Sequence, residues 1–183
     1  DFRTSFPEHE LGADVTAKLA VAYVEVGDGL RAAGEFERIA DSDADPAVKK
    51  EALWRAGELY AGSGQSAAAA AAYGRYVERY PRPVAESMEA RQKLLEIATA
   101  GANHTERTRW LNEIVTADAA AGAERTDRTR YLAATAQLEL AQPARDAFLG
   151  TRLVVPLDRS LQAKQARMKE AVIDMSVFTT RTK

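Results

Sequence analysis

Apolar and small residues recur along this chain at the three- and four-residue steps of an amphipathic helix. One clear example follows Asp45, an acidic residue that stands before Pro46 as helix N-caps often do. Gly62 and Gly64 come later, and glycine is the residue that most often ends a helix. The pattern therefore predicts a helix over residues 46–60. Its apolar stripe consists of Val48, Ala52, Ala56 and Leu59.

The same pattern returns at a constant step of 37 residues. Tyr60 lies 37 residues after Tyr23, and Ile97 lies 37 residues after Tyr60. Because many positions share this step and keep their chemistry, we expect a series of stacked structural repeats. The further matches are Phe36, Tyr73 and Trp110; Gly27, Gly64 and Gly101; Ala32 and Ala69; Ile39 and Tyr76; and Ala20 and Gly57.

Each repeat contains a second predicted helix. Ser66 is expected to cap it in the second repeat, and Asn103 stands one period later with the same capping chemistry. Tyr80 precedes Pro81, and the residue before a proline is disfavoured in the α region, so the helix is expected to end there. The side chains predicted to point inward are Ala69, Tyr73 and Tyr76.

Residues 50–83 resemble the tetratricopeptide repeat, a helix pair with a period of about 34 residues. The resemblance rests on Leu53, Ala56, Gly57, Tyr60, Gly64, Ala69, Tyr73 and Pro81, and in the first repeat on Leu19, Ala20, Tyr23, Gly27, Ala32 and Phe36. The third repeat keeps Leu94, Ile97, Gly101 and Trp110, but it has Glu106 where the family has a small residue.

The resemblance implies an all-α fold, a right-handed superhelical solenoid of antiparallel helix pairs in one domain covering residues 1–183. The expected pairs span about residues 13–46, 50–83 and 87–120, with a degenerate pair at 124–155. Ala20 and Gly57 would lie where the two helices of a pair cross. A small side chain there lets an aromatic ring of the partner helix fill the gap. Tyr23, Tyr60, Tyr73 and Trp110 are accordingly expected in the core.

The repeat loses its phase after residue 121, although helical spacing continues. Thr126 is expected to cap a helix, and Gln142-Pro143 is expected to break it before another helix begins. A last helix is predicted over residues 157–176, either as a capping helix or as the first helix of a further, truncated repeat. Its apolar stripe of Leu157, Leu161, Met168, Val172 and Met175 is interrupted by Lys164 and Gln165.

Composition narrows the function classes. The 183 residues carry a net charge of −2, with 25 basic and 27 acidic side chains, which disfavours a general role in binding nucleic acid. The chain has no cysteine, so disulfides, thiolate metal sites and cysteine nucleophiles are excluded. No apolar run is long enough for a membrane span. Because the chain opens at Asp1 without a methionine, we expect it to be trimmed, and a missing signal peptide then says nothing about compartment.

Residues able to carry catalytic chemistry are scarce, since the chain has two histidines. Glu8, His9 and Glu10 are adjacent, and adjacent side chains point in different directions, so a solvated segment is favoured over a metal site. His104 is expected at an exposed helix start. The neighbouring charges Arg125, Asp127, Arg128 and Arg130 are expected to form a solvated face. We therefore expect no enzyme activity, no cofactor and no metal.

The family resemblance implies that partners bind the concave face, mainly through the first helix of each pair. The residues implied are Ala17, Val21, Val24, Trp54, Glu58, Arg91 and Leu95. Two interpretations of Trp54 are open. Either Leu53 fills the core and Trp54 faces the groove, or Trp54 is the core residue and the local register is shifted by one. The lysine and asparagine with which family co-chaperones grip a carboxylate are replaced here by Ala17 and Val21, so that class is disfavoured.

We expect a non-enzymatic scaffold that binds a peptide or a partner protein. The segment from Tyr76 to Pro81 resembles bacterial envelope versions of the repeat, which serve in β-barrel assembly and in Tol-Pal or TonB-linked complexes. Residues 131–172 also resemble possible TonB-system components, which implies a periplasmic or outer-membrane-associated protein. Two alternatives remain: a peptide-sensing regulatory domain of a cytoplasmic multidomain protein, and a helical substrate-binding domain of an enzyme.

Overall fold

A computed structural model describes residues 5, 9, 11–43 and 45–181, with side chains described as far as residue 173. Over residues 11–181 it contains α-helices joined by short connections and one 3₁₀ turn, and no strand occurs in the described part of the chain. The predicted all-α class is confirmed. The helices are α1 (Gly12–Glu25), α2 (Gly29–Ser42), α3 (Pro46–Gly62), α4 (Ser66–Arg79), α5 (Val84–Ala100), α6 (His104–Ala119), α7 (Asp127–Gly150) and α8 (Leu157–Arg181), and the 3₁₀ turn is Gly122–Glu124.

The chain divides into two compact units, Asp1–Arg82 and Pro83–Lys183. In the first unit α1 packs against α2, α2 against α3, and α3 against α4. In the second unit α5 packs against α6, α6 against α7, and α7 against α8, while α5 also contacts α7. Within each unit, the helices therefore pack in the order in which they follow one another along the chain.

The turn inside each of the first three helix pairs has the same backbone geometry. The N–H of Asp28 donates to the carbonyl of Tyr23, that of Gln65 to Tyr60, and that of Asn103 to Ala98, each over 2.9 Å. Such a bond across five residues closes a helix end when the residue before the donor has a left-handed conformation. That residue is Gly27, Gly64 or Ala102, with φ of 75°, 74° and 51°.

These bonds correct the predicted repeat step. Tyr23 to Tyr60 is 37 residues, but the equivalent of Tyr60 in the third pair is Ala98, which is 38 residues further on. Burial follows the same step, because Ala52, Leu53 and Ala56 are buried and so are their equivalents at positions 90, 91 and 94, though less completely at 91. The extra residue lies between α4 and α5, where residues 80–83 connect the helices, whereas residues 43–45 connect α2 and α3.

Most of the predicted helix starts are confirmed. Oδ1 of Asp45 accepts the N–H of Ala47 over 2.8 Å, and Asn103 and Thr126 cap α6 and α7 in the same way. The prediction for Ser66 is wrong by one residue. Ser66 is the first residue of α4, and the capping position before it belongs to Gln65, whose side chain makes no cap bond.

The predicted break at Pro143 is also wrong. α7 is one helix of 24 residues from Asp127 to Gly150, with Pro143 inside it. A proline in a helix removes one backbone hydrogen bond and crowds the carbonyl four residues earlier. Here the proline is exposed, Glu139 before it pairs with Arg107 of α6, and the Phe148 ring after it contacts Lys164 of α8. The break occurs instead at residues 151–156, which include Val154, Val155 and Pro156.

Gly57 lies where α3 crosses α4, as the sequence predicts. A Cβ atom at this position would stand 2.8 Å from Cε1 and from Cζ of Tyr73, closer than side-chain carbons approach one another. The ring of Tyr73 is fully buried and occupies the space that the glycine leaves open. The close packing of α3 on α4 therefore depends on the absence of a side chain at residue 57.

The junction before α7 is held by a buried carboxylate. Asp118 accepts hydrogen bonds from Oγ1 of Thr129 over 2.8 Å and from Arg125 over 2.6 Å, and both Asp118 and Thr129 are buried. Glu124, in the same connection, accepts the backbone N–H of Val84 over 2.8 Å. These bonds fix the connection between α6 and α7 and tie it to the start of α5.

Candidate functional site

The first helix carries an apolar face that is exposed in the first unit. Ala17, Val21 and Val24 are spaced by four and three residues, which places them on one side of α1, and all three are exposed. Thr16 and Ala20, which are buried, lie about a quarter-turn away around the helix. α1 therefore presents three of the predicted partner-binding residues together on one surface.

Of the two adjacent residues Leu53 and Trp54 in α3, Leu53 is the core residue. Leu53 is fully buried, whereas Trp54 is partly exposed. The indole ring of Trp54 meets Tyr73 and Tyr76 edge to face, with ring centroids 5.4 Å apart in both pairs. Such contacts hold an aromatic side chain in one orientation. The two core tyrosines therefore hold one side of the Trp54 ring, and part of the ring remains exposed to solvent.

Glu58 lies one helical turn after Trp54 and is exposed. Its carboxylate accepts from Arg55 over 3.2 Å, and the same guanidinium donates to Glu51 over 3.0 Å. The three side chains form an exposed string of charges along α3. Exposed pairs of this kind contribute little to stability, so these groups are free to exchange partners at low cost.

Arg91 and Leu95, the two residues predicted for the third pair, are turned into the core. The side chain of Arg91 is 11 % exposed and that of Leu95 is 7 % exposed. The 38-residue step explains this position, since Arg91 is the equivalent of Leu53 and Leu95 the equivalent of Gly57. The residues equivalent to Trp54 and Glu58 are Gln92 and Glu96, whose side chains bond to one another over 3.3 Å.

Arg91 is a mostly buried cation with sparse hydrogen bonding. One of its terminal nitrogens donates to Oγ of Ser87 over 2.6 Å and to the Ser87 carbonyl over 3.2 Å. Its Nε lies 3.8 Å from Glu113 and has no hydrogen-bond partner among the described residues. Burial lowers the pKa of the Arg91 guanidinium, and the charge of Glu113 opposes that effect. The arginine is a packed part of α5 and offers little surface to a partner.

The sequence prediction missed a polar cluster between α2 and α4. Glu37 and Asp41 on α2 face Arg75 and Arg79 on α4, with a Glu37–Arg75 distance of 3.0 Å, an Asp41–Arg79 distance of 3.2 Å and a further Asp41–Arg75 ion pair. The signal was present, because two acids and two arginines each stand four residues apart on helices that occupy equivalent places in neighbouring pairs.

Tyr60 joins this cluster from α3. Its hydroxyl donates to Glu37 over 2.8 Å, and the ring is buried. Burial raises the pKa of Tyr60 to about 12, and the hydrogen bond to Glu37 and the charge of that carboxylate act in the same direction. The hydroxyl is thus held protonated and donating, which is a structural role and not that of an acid or base.

The charges around α7 are less solvated than the sequence suggests. Arg130 pairs with Asp127 at the surface over 3.0 Å, as expected. Arg128 binds Glu89 of α5 through two hydrogen bonds of 2.7 and 3.1 Å, which lower the pKa of that carboxyl. Arg125 is mostly buried against Asp118. The prediction of a solvated face is therefore wrong for Arg125, which belongs to the α6–α7 junction.

The first unit also contains an open cavity of about 430 Å³ between the start of α1 and the end of α2. His9 lines it, and Nδ1 of this histidine accepts the backbone N–H of Leu11 over 3.1 Å. The neighbouring Glu8 and Glu10 lie outside the described residues. His104 is the exposed first residue of α6, as predicted. The other lining residues are Gly12, Ala13, Thr16, Arg38, Asp41 and Ser42.

No cluster of three or more histidine, cysteine, aspartate or glutamate side chains suited to a metal ion occurs within the described ranges. None of the helices in those ranges combines the length and apolar character needed to cross a membrane. Comparison of the chain with protein-family models, with curated proteins and with solved structures gives no match in any of the three.

Proposed function

We propose that this chain is a protein-binding scaffold of the tetratricopeptide type, which holds a peptide or a segment of a partner protein and does no chemistry of its own. The observation that carries the proposal is the exposed apolar face of α1. Ala17, Val21 and Val24 stand on one side of the helix, with no helix of the described first unit burying them. Apolar residues grouped on a surface are typical of interaction sites.

Trp54 and Glu58 extend the proposed surface to the first helix of the second pair. Trp54 keeps an exposed part while its other edges are held by Tyr73 and Tyr76, so a bound partner would not have to order it. Tryptophan is enriched among residues that dominate binding energy. Glu58 adds a charge that can select among ligands. The chemistry suits an extended or helical peptide that carries apolar anchors.

The proposal includes a solenoid arrangement within each unit, in which the first helices of successive pairs line one concave face. It is supported by the shared turn geometry at Gly27, Gly64 and Ala102 and by the close crossing at Gly57. In the third pair, which belongs to the second unit, the 38-residue step makes Gln92 and Glu96, and not Arg91 and Leu95, the equivalents of Trp54 and Glu58.

A bacterial envelope complex, such as one linked to TonB or Tol-Pal, is the setting that we propose for the scaffold. This part rests on the resemblance of residues 76–81 and 131–172 to envelope proteins of that kind. A regulatory domain of a cytoplasmic protein would use the same surface for a peptide signal. The identity of the captured partner distinguishes the two settings.

The proposal is tested by immobilising the chain, exposing it to lysate of its native host, and identifying retained proteins by mass spectrometry. Val21→Glu and Trp54→Ala are compared with wild type. We expect both variants to lose the same partners, because one places a charge on the apolar face and the other removes the aromatic anchor. Val26→Glu is the matched control, since Val26 is highly exposed and lies at the end of α1 away from that face.

The retained partner must then be reproduced as a purified protein or synthetic peptide and titrated against the same variants. Binding that is unchanged by Val21→Glu and Trp54→Ala would overturn the proposed surface. Capture of envelope proteins would support the envelope setting, whereas capture of a cytoplasmic regulator alone would replace it with the regulatory one. Turnover of a captured small molecule would contradict the scaffold proposal.

A further inference from the structure

The last helix packs on α7 through a polar and small face, and not through its apolar stripe. Ser160 and Ala171 are the buried residues of α8, and Lys164 lies between them on the same side. Nζ of Lys164 donates to the carbonyl of Thr151 over 3.1 Å and lies 5.2 Å from the centre of the Phe148 ring. The interruption of the apolar stripe at Lys164 is thus a contact with α7.

The apolar stripe of α8 is exposed to solvent. Leu157 and Val172 are 56 % and 57 % exposed, and Leu161 and Met168 are both 46 % exposed. The fifth residue predicted for the stripe, Met175, lies beyond the described side chains. At 100° per residue the four described residues share one side of α8, roughly a quarter-turn from the face that packs on α7. Monomeric proteins rarely leave so many large apolar side chains together on one face.

The spacing of the stripe is the same in both directions along the helix. Leu157 to Leu161 is four residues, Leu161 to Met168 is seven, and Met168 to Val172 is four. A two-fold axis that crosses α8 between residues 164 and 165 therefore sets Leu157 opposite Val172 of a second copy, and Leu161 opposite Met168. A two-fold interface requires this kind of self-complementary surface.

The charges beside the stripe are complementary under the same operation. Asp158 and Lys169 lie on the flank of α8 that faces away from α7, and both are exposed. In an antiparallel pair of α8 helices, each flank meets the same flank of the other copy. Asp158 then comes within about 3 Å, measured along the helix axis, of the level of Lys169 in the second copy. The polar residues between them, Gln162 and Gln165, meet near the axis.

We propose that the exposed stripe of α8 is a self-association surface, on which a second copy of this chain docks its own α8 in antiparallel orientation. Leu157 packs on Val172 and Leu161 on Met168, and Asp158 pairs with Lys169 across the interface. A stripe of four large side chains is smaller than the roughly 800 Å² per partner of a standard interface. The dimer is therefore weak, with a dissociation constant of the order of micromolar to tens of micromolar.

Sedimentation equilibrium of the full chain, from about 1 µM to about 500 µM, tests this association. We expect a reversible monomer–dimer equilibrium in wild type. Leu161→Glu should raise the dissociation constant by roughly tenfold or more, because it places a charge in an apolar contact. Leu30→Glu is the matched control, since Leu30 is a leucine of similar exposure, 50 %, in the first unit. Circular dichroism verifies that each variant keeps its helices.

Charge reversal tests the orientation. Asp158→Lys and Lys169→Asp should each weaken the dimer several-fold, since each sets like charges opposite one another. The double variant restores the opposite pairing and should return the dissociation constant close to that of wild type. Recovery in the double variant is specific to a second copy, because a different partner would not carry the exchanged charges.

Cross-linking gives a second readout of orientation, and the absence of native cysteine leaves the introduced thiols as the only ones. Leu161→Cys mixed with Met168→Cys should oxidise to a mixed disulfide dimer, in preference to either homodimer. Preferred cross-linking of the Leu161→Cys variant to itself would indicate parallel helices and overturn the proposal. A chain that stays monomeric to the highest concentration would also overturn it.

Discussion

The helix pairs α3–α4 and α5–α6 have the same turn and equivalent buried positions, but they fill their interiors differently. In α3–α4 Gly57 is the small residue, and Tyr60 and Tyr73 are the large ones. In α5–α6 the equivalent positions hold Leu95, Ala98 and Leu111, all of them buried. Compared with α3–α4, the pair α5–α6 therefore has smaller side chains at the two tyrosine positions and a larger one at the glycine position.

We infer that the two pairs share the summed volume of a layer more than the residue at any one position. Protein interiors are packed as densely as organic crystals, so an added group must be offset by a removed one nearby. If one interior residue of a pair is replaced by its equivalent from the other pair, the protein should lose stability. If the residue that contacts it is replaced in the same way, part of that stability should return.

Leu95→Ala should have the largest effect. Leu95 fills the position that is glycine in α3, and no tyrosine stands opposite to close the space. Truncating a buried leucine leaves a cavity and should lower the free energy of unfolding by about 3 kcal/mol. Urea denaturation measures the loss. Leu30→Ala, at a half-exposed leucine, should cost far less, and an equal cost at the two sites would contradict the assignment of Leu95 to the core.

Gly57→Leu gives α3 the residue that α5 has at the equivalent position, Leu95. A side chain at this position meets the ring of Tyr73, so the variant should lose roughly 1–3 kcal/mol of stability. Adding Tyr73→Leu should recover part of that loss, because it removes the ring that the new leucine meets. Gly74→Leu is the control on α4, where a Cβ has open space. Strictly additive effects of the two substitutions, measured by thermal denaturation, would contradict volume exchange.

Tyr60→Phe should lower stability by about 1 kcal/mol near neutral pH, since Glu37 loses the hydroxyl that donates to it. The loss should shrink at alkaline pH. The folded-state pKa of Tyr60 is raised to about 12, so its contribution is fully present below the unfolded pKa near 10 and disappears as pH rises through 12. Denaturation of both proteins between pH 9 and pH 12, a range set by these values, checks the convergence. A constant difference would show that the hydroxyl is not held protonated.

Ala102→Gly should produce the smallest change, and in the opposite direction. Ala102 has a φ of 51° at a turn position where the other two pairs have glycine. Left-handed backbone costs an alanine about 1 kcal/mol, so the glycine variant should be more stable by up to that amount. Gly64→Ala is the reciprocal control and should be destabilising by a similar amount. Loss of stability in Ala102→Gly would indicate that the alanine methyl makes a contact that outweighs the strain.

The sequence predicts the helices and the first two turns well, because caps and turns are local. Asp45, Asn103 and Thr126 cap helices through their own side chains, and the chain around them is sufficient to recognise the signal. The third turn misled the prediction. The 37-residue step matches Gly101 to Gly64, but Ala102 takes the left-handed conformation of Gly64, so the predicted alignment of the third repeat is one residue too early. An alanine in that role carries no sequence signal.

The parts that could not be predicted depend on contacts between distant residues. Arg91 and Leu95 were placed on the partner-binding face because the 37-residue step carried them there, and only the backbone hydrogen bonds of the turn give the 38-residue step. Lys164 interrupts the apolar stripe predicted for the last helix, yet it donates a hydrogen bond to Thr151 and contacts the ring of Phe148. Hydropathy does not distinguish a solvated lysine from one that meets a carbonyl and a ring.

The position of the extra residue in the third repeat has a consequence for how such a chain can change length. The turn inside each pair has no spare residue, because Asp28, Gln65 and Asn103 each close one helix and stand directly before the next. The connections that join the first three pairs, by contrast, have three residues in one case (43–45) and four in the other (80–83). Insertions and deletions are absorbed between pairs, so residues 80–83 are the place where a tag, a protease site or a longer linker can be added without disturbing a helix pair.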